Sequence, residues 1–206
     1  MTQQLRPKSL SPRKLSYDEF LEWDGENQHV EWVDGEVVEM APVGNEHQDL
    51  RGFLHGIIRA LVVHFDLGVV RDDPFQMKTG RDLPGRAPDV LFVAKEHLPA
   101  LKPLFVEGPA DLVIEIISPG SRTTDRRHKY AEYEAGGVRE YWILDPERKK
   151  AEFFLLGSDG KYSAASVGAD GIYRCTVITP LWIRVDWLWQ KPLPSELRIY
   201  REWGLV

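Results

Sequence analysis

Residues 112–117, LVIEII, constrain this chain more than any other stretch. All but one are large aliphatics, so neither face of a strand built from them can meet water. Such a strand belongs in the middle of a sheet that is covered on both sides. The exception is Glu115, and a carboxylate inside a buried strand is costly unless it is paired or holds a metal. Further along, DRRHKYAEYEAGG has the composition of a helix, with a cap expected at Thr123 or Thr124 and a stop at Gly136-Gly137. VREYWILD then reads as another strand. A strand–helix–strand order predicts a right-handed crossover, so these two strands should be parallel. PDVLFV, opened by Pro88-Asp89, is the expected antiparallel neighbour on the other side.

The rest of the chain fits around that centre. Ser16 and Glu19 have capping-box spacing and start a short helix. HVEWV-DG-EVVEM reads as a hairpin turning at Asp34-Gly35. Asn45 and Gln48 are the expected caps of the longest helix. Its Leu50, Phe53, Leu54, Ile57, Ile58, Leu61 and Phe65 recur at helical spacing and predict one broad buried face. LGVVR and PFQMKT are short strands, GRDLPGRA is a Gly- and Pro-rich loop, and EHLPALKPLFVEGPA is a short helix running into loop. From Lys150 onward, short β segments alternate with Gly-containing turns. The order predicts an α/β domain with an antiparallel β extension. Residues 1–15 read as a flexible lead and 16–206 as one domain, with its core at about 28–146 and the extension at about 150–206.

Several function classes are excluded. The net charge of −6 argues against a basic nucleic-acid coat, since counterion release needs clustered Lys and Arg. Arg122, Arg126, Arg127 and Lys129 do form a local cluster. The single cysteine, Cys175, excludes an internal disulfide and fits a reducing cytosol. It has no Cys-His signature around it and reads as a small core residue. No apolar run approaches the about 20 residues that span a bilayer, and the basic N-terminus is not followed by the apolar stretch of a secretory leader. The expected location is the cytoplasm. No GxxxxGK[ST] element, no G-x-S-x-G and no His/Cys cluster at zinc spacing occurs, which removes NTPase, serine-hydrolase and zinc readings.

Two carboxylates on adjacent strands, Asp89 and Glu115, with a lysine nearby, suit an oxygen-loving divalent cation and an activated water. Asp125, Lys129 and Tyr133 follow at i, i+4 and i+8 and share a helix face.

The ordered set is larger than these. It comprises Glu31-x-x-Asp34-Gly35-Glu36, His47, Pro88-Asp89, Asp111-Leu112-x-x-Glu115-x-x-Ser118, Asp125-x-x-x-Lys129-x-x-x-Tyr133 and Gly137-Val138-x-Glu140-Tyr141-Trp142. Over about residues 16–156 it resembles the Uma-two endonuclease family, a branch of the PD-(D/E)XK, or restriction-endonuclease-like, superfamily. The resemblance implies a mixed four-stranded sheet flanked by helices, dependence on Mg²⁺ or Mn²⁺, and nucleic acid, in the first place DNA, as substrate. Asp89 matches the PD aspartate and Glu115 the acidic residue of (D/E)XK. One departure matters: the superfamily lysine position, two residues after Glu115, holds Ile117. In the Uma-two branch the lysine looks to have moved to the following helix, where Lys129 stands. Asp89 and Glu115 are then the expected metal ligands, with the Ile116 carbonyl as a third.

Each of these residues has a plainer reading beside the functional one. Asp89 could accept backbone amides at a strand start, and Glu115 could be half of a buried ion pair with Lys129 or an arginine. Asp125 suits the first turn of a helix, Tyr133 the edge of a core, and His47 a local helix-end contact. Glu31 is a further candidate, since an acidic residue from the N-terminal region often completes the metal site in related nucleases. The rival to an enzyme is a non-catalytic nucleic-acid- or protein-binding module that keeps the fold, and Ile117 favours it. Finally, Leu181, Trp182, Ile183, Val185, Trp187 and Trp189 place much apolar surface within a few residues. A two-fold homodimer is the expected cover, the alternative being that the extension folds back on its own sheet.

Overall fold

The computed structural model describes residues 10–11, 13–25, 29–118 and 124–206, without the side chains of 124 and 125. The Asp125 side chain, the cap expected at Thr123 or Thr124 and Arg122 therefore lie outside the described residues. The chain begins with α1 (Tyr17–Leu21), closed by the expected capping box: the Ser16 hydroxyl accepts the Glu19 N–H at 3.2 Å and Glu19 Oε2 accepts the Ser16 N–H at 2.8 Å. A hairpin follows, β1 (Val30–Val33) and β2 (Glu36–Glu39). Asp34 and Gly35 turn it with φ of 52° and 87°, the left-handed pair that a two-residue loop needs.

Next comes α2 (Asn45–His64), which buries Leu50, Phe53, Leu54, Ile57, Ile58 and Leu61 as the spacing predicts. Its ends differ from the sequence reading. Gly44 is the N-cap and no side chain caps the helix; Gln48 instead accepts from Arg51 at 2.8 Å. Phe65 lies one residue past the helix and is 46% exposed, because the face has rotated off the sheet by then.

The strands β3 (Gly68–Asp72), β4 (Gln76–Lys78), β5 (Gly85–Arg86), β6 (Val90–Ala94), β7 (Phe105–Glu107) and β8 (Leu112–Ile116) lead to α3 (Tyr130–Gly136). A π-helical stretch, Thr124–Lys129, runs directly into α3, and Gly137 ends it at φ 87°. After α3 come β9 (Glu140–Asp145), β10 (Lys150–Leu156), β11 (Tyr162–Ala164), β12 (Ile172–Arg174), β13 (Trp182–Arg184) and α4 (Glu196–Glu202). Two stretches read as loop are partly strand. Gly85–Arg86 and Phe105–Glu107 are short, and their neighbours on the sheet, not local propensity, hold them extended.

The main sheet has six strands in the order β11-β10-β9-β8-β6-β3. β8 is central, antiparallel to β6 and parallel to β9, as predicted. The sheet is wider than the four strands implied by the resemblance, because β10 and β11 of the extension add to its β9 side. Even-numbered residues of β8 and β6 (Leu112, Ile114, Ile116, Val90, Phe92) face a core shared with α2. Leu91, Val93 and Val113 face the opposite core, with Tyr133, Val138, Tyr141 and the smaller sheet β2-β1-β5-β4-β7. Burying each such Leu, Ile or Phe is worth about 1.5–3 kcal/mol, enough to fix the register of every strand that carries the site.

The aromatic end of the extension does not form an exposed patch. Leu181, Ile183, Trp187 and Leu188 are buried in the α2 core, with Trp182 and Trp189 packed against it. The extension folds back on its own chain, so the apolar surface on which a homodimer was expected is used internally.

Candidate active site

Asp89 stands immediately before β6. Val90 pairs with Ile114, so one step further the register sets Asp89 across from Glu115, with both side chains on the same face. Asp89 Oδ2 accepts the Ile116 N–H at 2.7 Å, and Oδ1 lies 3.2 Å from His47 Nε2. His47 comes from the first turn of α2, and its Nδ1 is buried without a hydrogen-bond partner among the described residues. Ile117 N–H donates to Leu144 O on the β9 side, whereas Ile116 N–H turns the other way to Asp89. By strand alternation the Ile116 carbonyl also points to the Asp89 side.

Glu115 is 3% exposed. Its Oε1 lies 2.9 Å from Lys129 Nζ and accepts the Tyr133 hydroxyl at 2.7 Å. Lys129 and Tyr133 are one helical turn apart and reach the same oxygen, the shared face expected from their spacing. The π-helical stretch delivers Lys129 to the interior while Arg127 and His128 stay exposed.

Lys129 Nζ also lies 3.3 Å from Glu31 Oε1, so the ammonium sits between two carboxylates. The other Glu31 oxygen, Oε2, accepts Arg86 Nη1 at 2.6 Å, and Oε1 accepts the Ala87 N–H at 3.3 Å. Arg86 in turn grips Glu132 with Nε and Nη2 at 2.8 and 2.7 Å. The structure thus brings together Asp89, Glu115, Ile116, Lys129, Tyr133, Glu31 and His47, and adds Arg86 and Glu132. Arg86 carried no signal in sequence, because a lone arginine in a Gly/Pro loop reads as solvated. Glu132 had a weak one, three residues after Lys129 on the same helix.

The electrostatics follow from burial. Burial alone would raise the Glu31 carboxyl, but the charges of Lys129 and Arg86 and the Arg86 hydrogen bond outweigh it and hold it at about 2. Burial lowers the Arg86 guanidinium, yet Glu31 and Glu132 more than reverse that and raise it. Burial, then the charges of Glu115 and Glu31, push the Tyr133 phenol far above its ordinary range, so it stays protonated and donates. Four carboxylates (Glu31, Asp89, Glu115, Glu132) face two cations (Arg86, Lys129). Over these six described side chains alone the formal charges sum to −2.

That excess and the all-oxygen donor set fit one hard divalent cation, which typically takes one or two carboxylates and keeps several waters. Among the described residues no group of three or more His, Cys, Asp or Glu is placed to hold a metal ion of any kind.

The family model described as "Uma2: Putative restriction endonuclease" matches residues 17–186. The chain belongs to this family. Every residue of the Uma2 cluster, from Glu31 to Tyr133, lies inside the match, while α4 lies beyond it. A solved structure from Anabaena variabilis ATCC 29413, described as a "putative nuclease belonging to DUF820", superposes with a TM-score of 0.68. It is 16% identical and the match covers 84% of this chain and 97% of that one, so the likeness shows the fold, which is restriction-endonuclease-like. No curated protein matches the chain. Family and fold together are those of a restriction-endonuclease-like nuclease, a hydrolase of phosphodiester bonds. Among the described residues no helix is long and apolar enough to cross a membrane.

Proposed function

We propose that this chain is a divalent-metal-dependent endonuclease that hydrolyses phosphodiester bonds in DNA, working in the cytoplasm. The observation that carries the reading is the register of β6 and β8, which sets Asp89 opposite Glu115 with Lys129 Nζ 2.9 Å from the latter. Asp89 and Glu115 are the residues that would hold Mg²⁺ or Mn²⁺, with the Ile116 carbonyl as third ligand. The cation supplies Lewis acidity to the phosphoryl group and lowers the pKa of a water molecule.

The chain's own residues supply the rest. The Ile116 N–H fixes the Asp89 carboxylate in plane, and Tyr133 fixes that of Glu115. The Lys129 ammonium offsets negative charge that builds on a non-bridging phosphate oxygen. His47 orients Asp89 from the far side. Arg127 and His128, exposed just before Lys129, offer positive charge to the nucleic-acid backbone in a protein that is otherwise acidic. The buried thiol of Cys175 suits a reducing compartment. One site cuts one strand; a two-fold pair of chains would cut both, through a surface other than the extension.

The binding-module reading draws on a specific observation as well. Glu115 Oε1 is already engaged by Lys129 and Tyr133, a closed arrangement that needs no substrate. Supercoiled-plasmid cleavage with and without Mg²⁺ or Mn²⁺ separates the two. Nicking that requires the metal and vanishes in Asp89→Ala supports the enzyme. Retention of DNA on the protein without any cleavage supports the module, and cleavage by Asp89→Ala equal to wild type overturns the site.

A further inference from the structure

We infer that Arg86 is a positioning residue for Lys129, acting through Glu31, and that Glu132 is the clamp that aims it; the inference rests on the nuclease reading for its meaning. Glu132, Arg86, Glu31, Lys129 and Glu115 form a row of alternating sign in which each ion touches the next. The row crosses three parts of the fold: Arg86 and Glu31 belong to the smaller sheet, Glu132 and Lys129 to the helix, and Glu115 to the main sheet.

The geometry of a guanidinium explains how it works. Its donors lie in one plane, so the paired contacts from Nε and Nη2 to the two oxygens of Glu132 fix that plane completely. Nη1 is then left aimed at Glu31 Oε2, at 2.6 Å. With one oxygen held by Arg86 and the other steadied by the Ala87 N–H, the Glu31 carboxylate presents Oε1 to Lys129 in one orientation. A lysine stem has many rotamers, and two carboxylates on separate elements reduce them to one position of Nζ. Arg86 also shares the charge of Glu31. Without it the full Glu31 carboxylate would draw Nζ toward itself and away from Glu115.

A merely structural role explains the row less well. Buried ion pairs are a weak source of stability, since well-packed apolar residues usually do as well. Arg86, Glu31, Lys129 and Glu115 have side chains no more than 6% exposed, which is where that cost is highest. A row that costs so much and ends on the candidate metal ligand is better accounted for by what it holds in place.

The test combines kinetics with a readout that does not depend on cleavage. Plasmid nicking is measured under Mg²⁺ for wild type, Arg86→Gln, Lys129→Ala and the double variant. Separately, reductive methylation of Lys129 in the metal-free protein is followed by mass spectrometry. Removing a partner that orients a site residue typically costs about 10–100-fold. Arg86→Gln is therefore expected to lower kcat by about that factor with KM for DNA changed less than about 2-fold. In the Lys129→Ala background the same change should add less than about 2-fold, because the residue it serves is gone. The methylation rate of Lys129 should change by at least about 10-fold in Arg86→Gln, because Nζ moves from its place between the two carboxylates toward Glu31 and away from Glu115. Losses that multiply in the double variant, or an unchanged methylation rate, overturn the inference. Should Arg86→Gln fail to fold, Glu132→Gln, which keeps the arginine and breaks its clamp, carries the same comparisons. An inactive wild type would defeat the nuclease reading, and the methylation rates would still decide whether Arg86 positions Lys129.

Discussion

Glu115 and Glu140 are both buried carboxylates, on the neighbouring strands β8 and β9, and each accepts a tyrosine hydroxyl at 2.7 Å. Their surroundings could hardly differ more. Glu140 Oε1 takes Trp142 Nε1 and Tyr173, and Oε2 takes the backbone N–H groups of Thr176 and Val177. All four donors are neutral, and three come from the extension, so Glu140 fastens the C-terminal part of the chain to the sheet. Glu115 has a lysine ammonium, a phenol and, across the strand pair, a second carboxylate. A carboxylate ringed by fixed neutral donors is finished as a piece of structure. One set across a strand pair from a second carboxylate is placed to share a cation with it.

The largest effects should come from removing each carboxylate in turn. Glu115→Gln is expected to lower cleavage by about 10³-fold or more. Its urea midpoint should move by no more than about 1 kcal/mol equivalent, because repulsion from Asp89 is relieved in the metal-free protein. Glu140→Ala should do the reverse. It strands four donors, two of them on the buried side chains of Trp142 and Tyr173, and should cost about 3 kcal/mol or more in urea unfolding, while divalent-ion binding is unchanged. Equal stability losses in the two variants would break the comparison.

Acid sharpens it next. The Glu31 carboxyl is held at about 2, below its ordinary 4.5, so its contribution is fully present above about pH 4.5 and is lost as the pH falls toward 2. By linkage that contribution is roughly 3 kcal/mol. Urea unfolding followed across that window should show the fall in wild type and a flattened curve in Glu31→Gln.

The smallest and cleanest pair is Tyr133→Phe against Tyr173→Phe, each removing one hydroxyl from one carboxylate. Tyr173→Phe should cost about 1–1.5 kcal/mol in thermal or urea unfolding and leave cleavage alone. Tyr133→Phe should cost about 10-fold in cleavage, since the Glu115 carboxylate loses the contact that orients it. If the two substitutions behave alike, the two carboxylates do not have separate jobs.

Sequence made one of these two carboxylates far easier to interpret than the other. Glu115 interrupts an aliphatic run, and Asp89 follows a proline at the head of another, so both the central strand and its antiparallel partner could be read together with the site. Lys129 and Tyr133 were legible because helical spacing is local. Glu140 stood in the ordered set that carries the resemblance, but nothing around it in sequence told its role; its four donors arrive mostly from residues 173–177, a distance no local pattern spans. Arg86 was hidden for the same reason, since its partners are 55 and 46 residues away. The aromatic run at 181–189 was misjudged because composition reports that apolar surface must be covered, not which surface covers it. The α2 face had room for it, and the chain is long enough to return.

The central claim, that Asp89 and Glu115 are the pair with a use for a cation, is tested most directly by Mn²⁺ titration of metal-free protein, followed by electron paramagnetic resonance. Wild type and Glu140→Gln should each bind one Mn²⁺ per chain, and Asp89→Asn and Glu115→Gln should lose that binding. Undiminished Mn²⁺ binding by Glu115→Gln would contradict it.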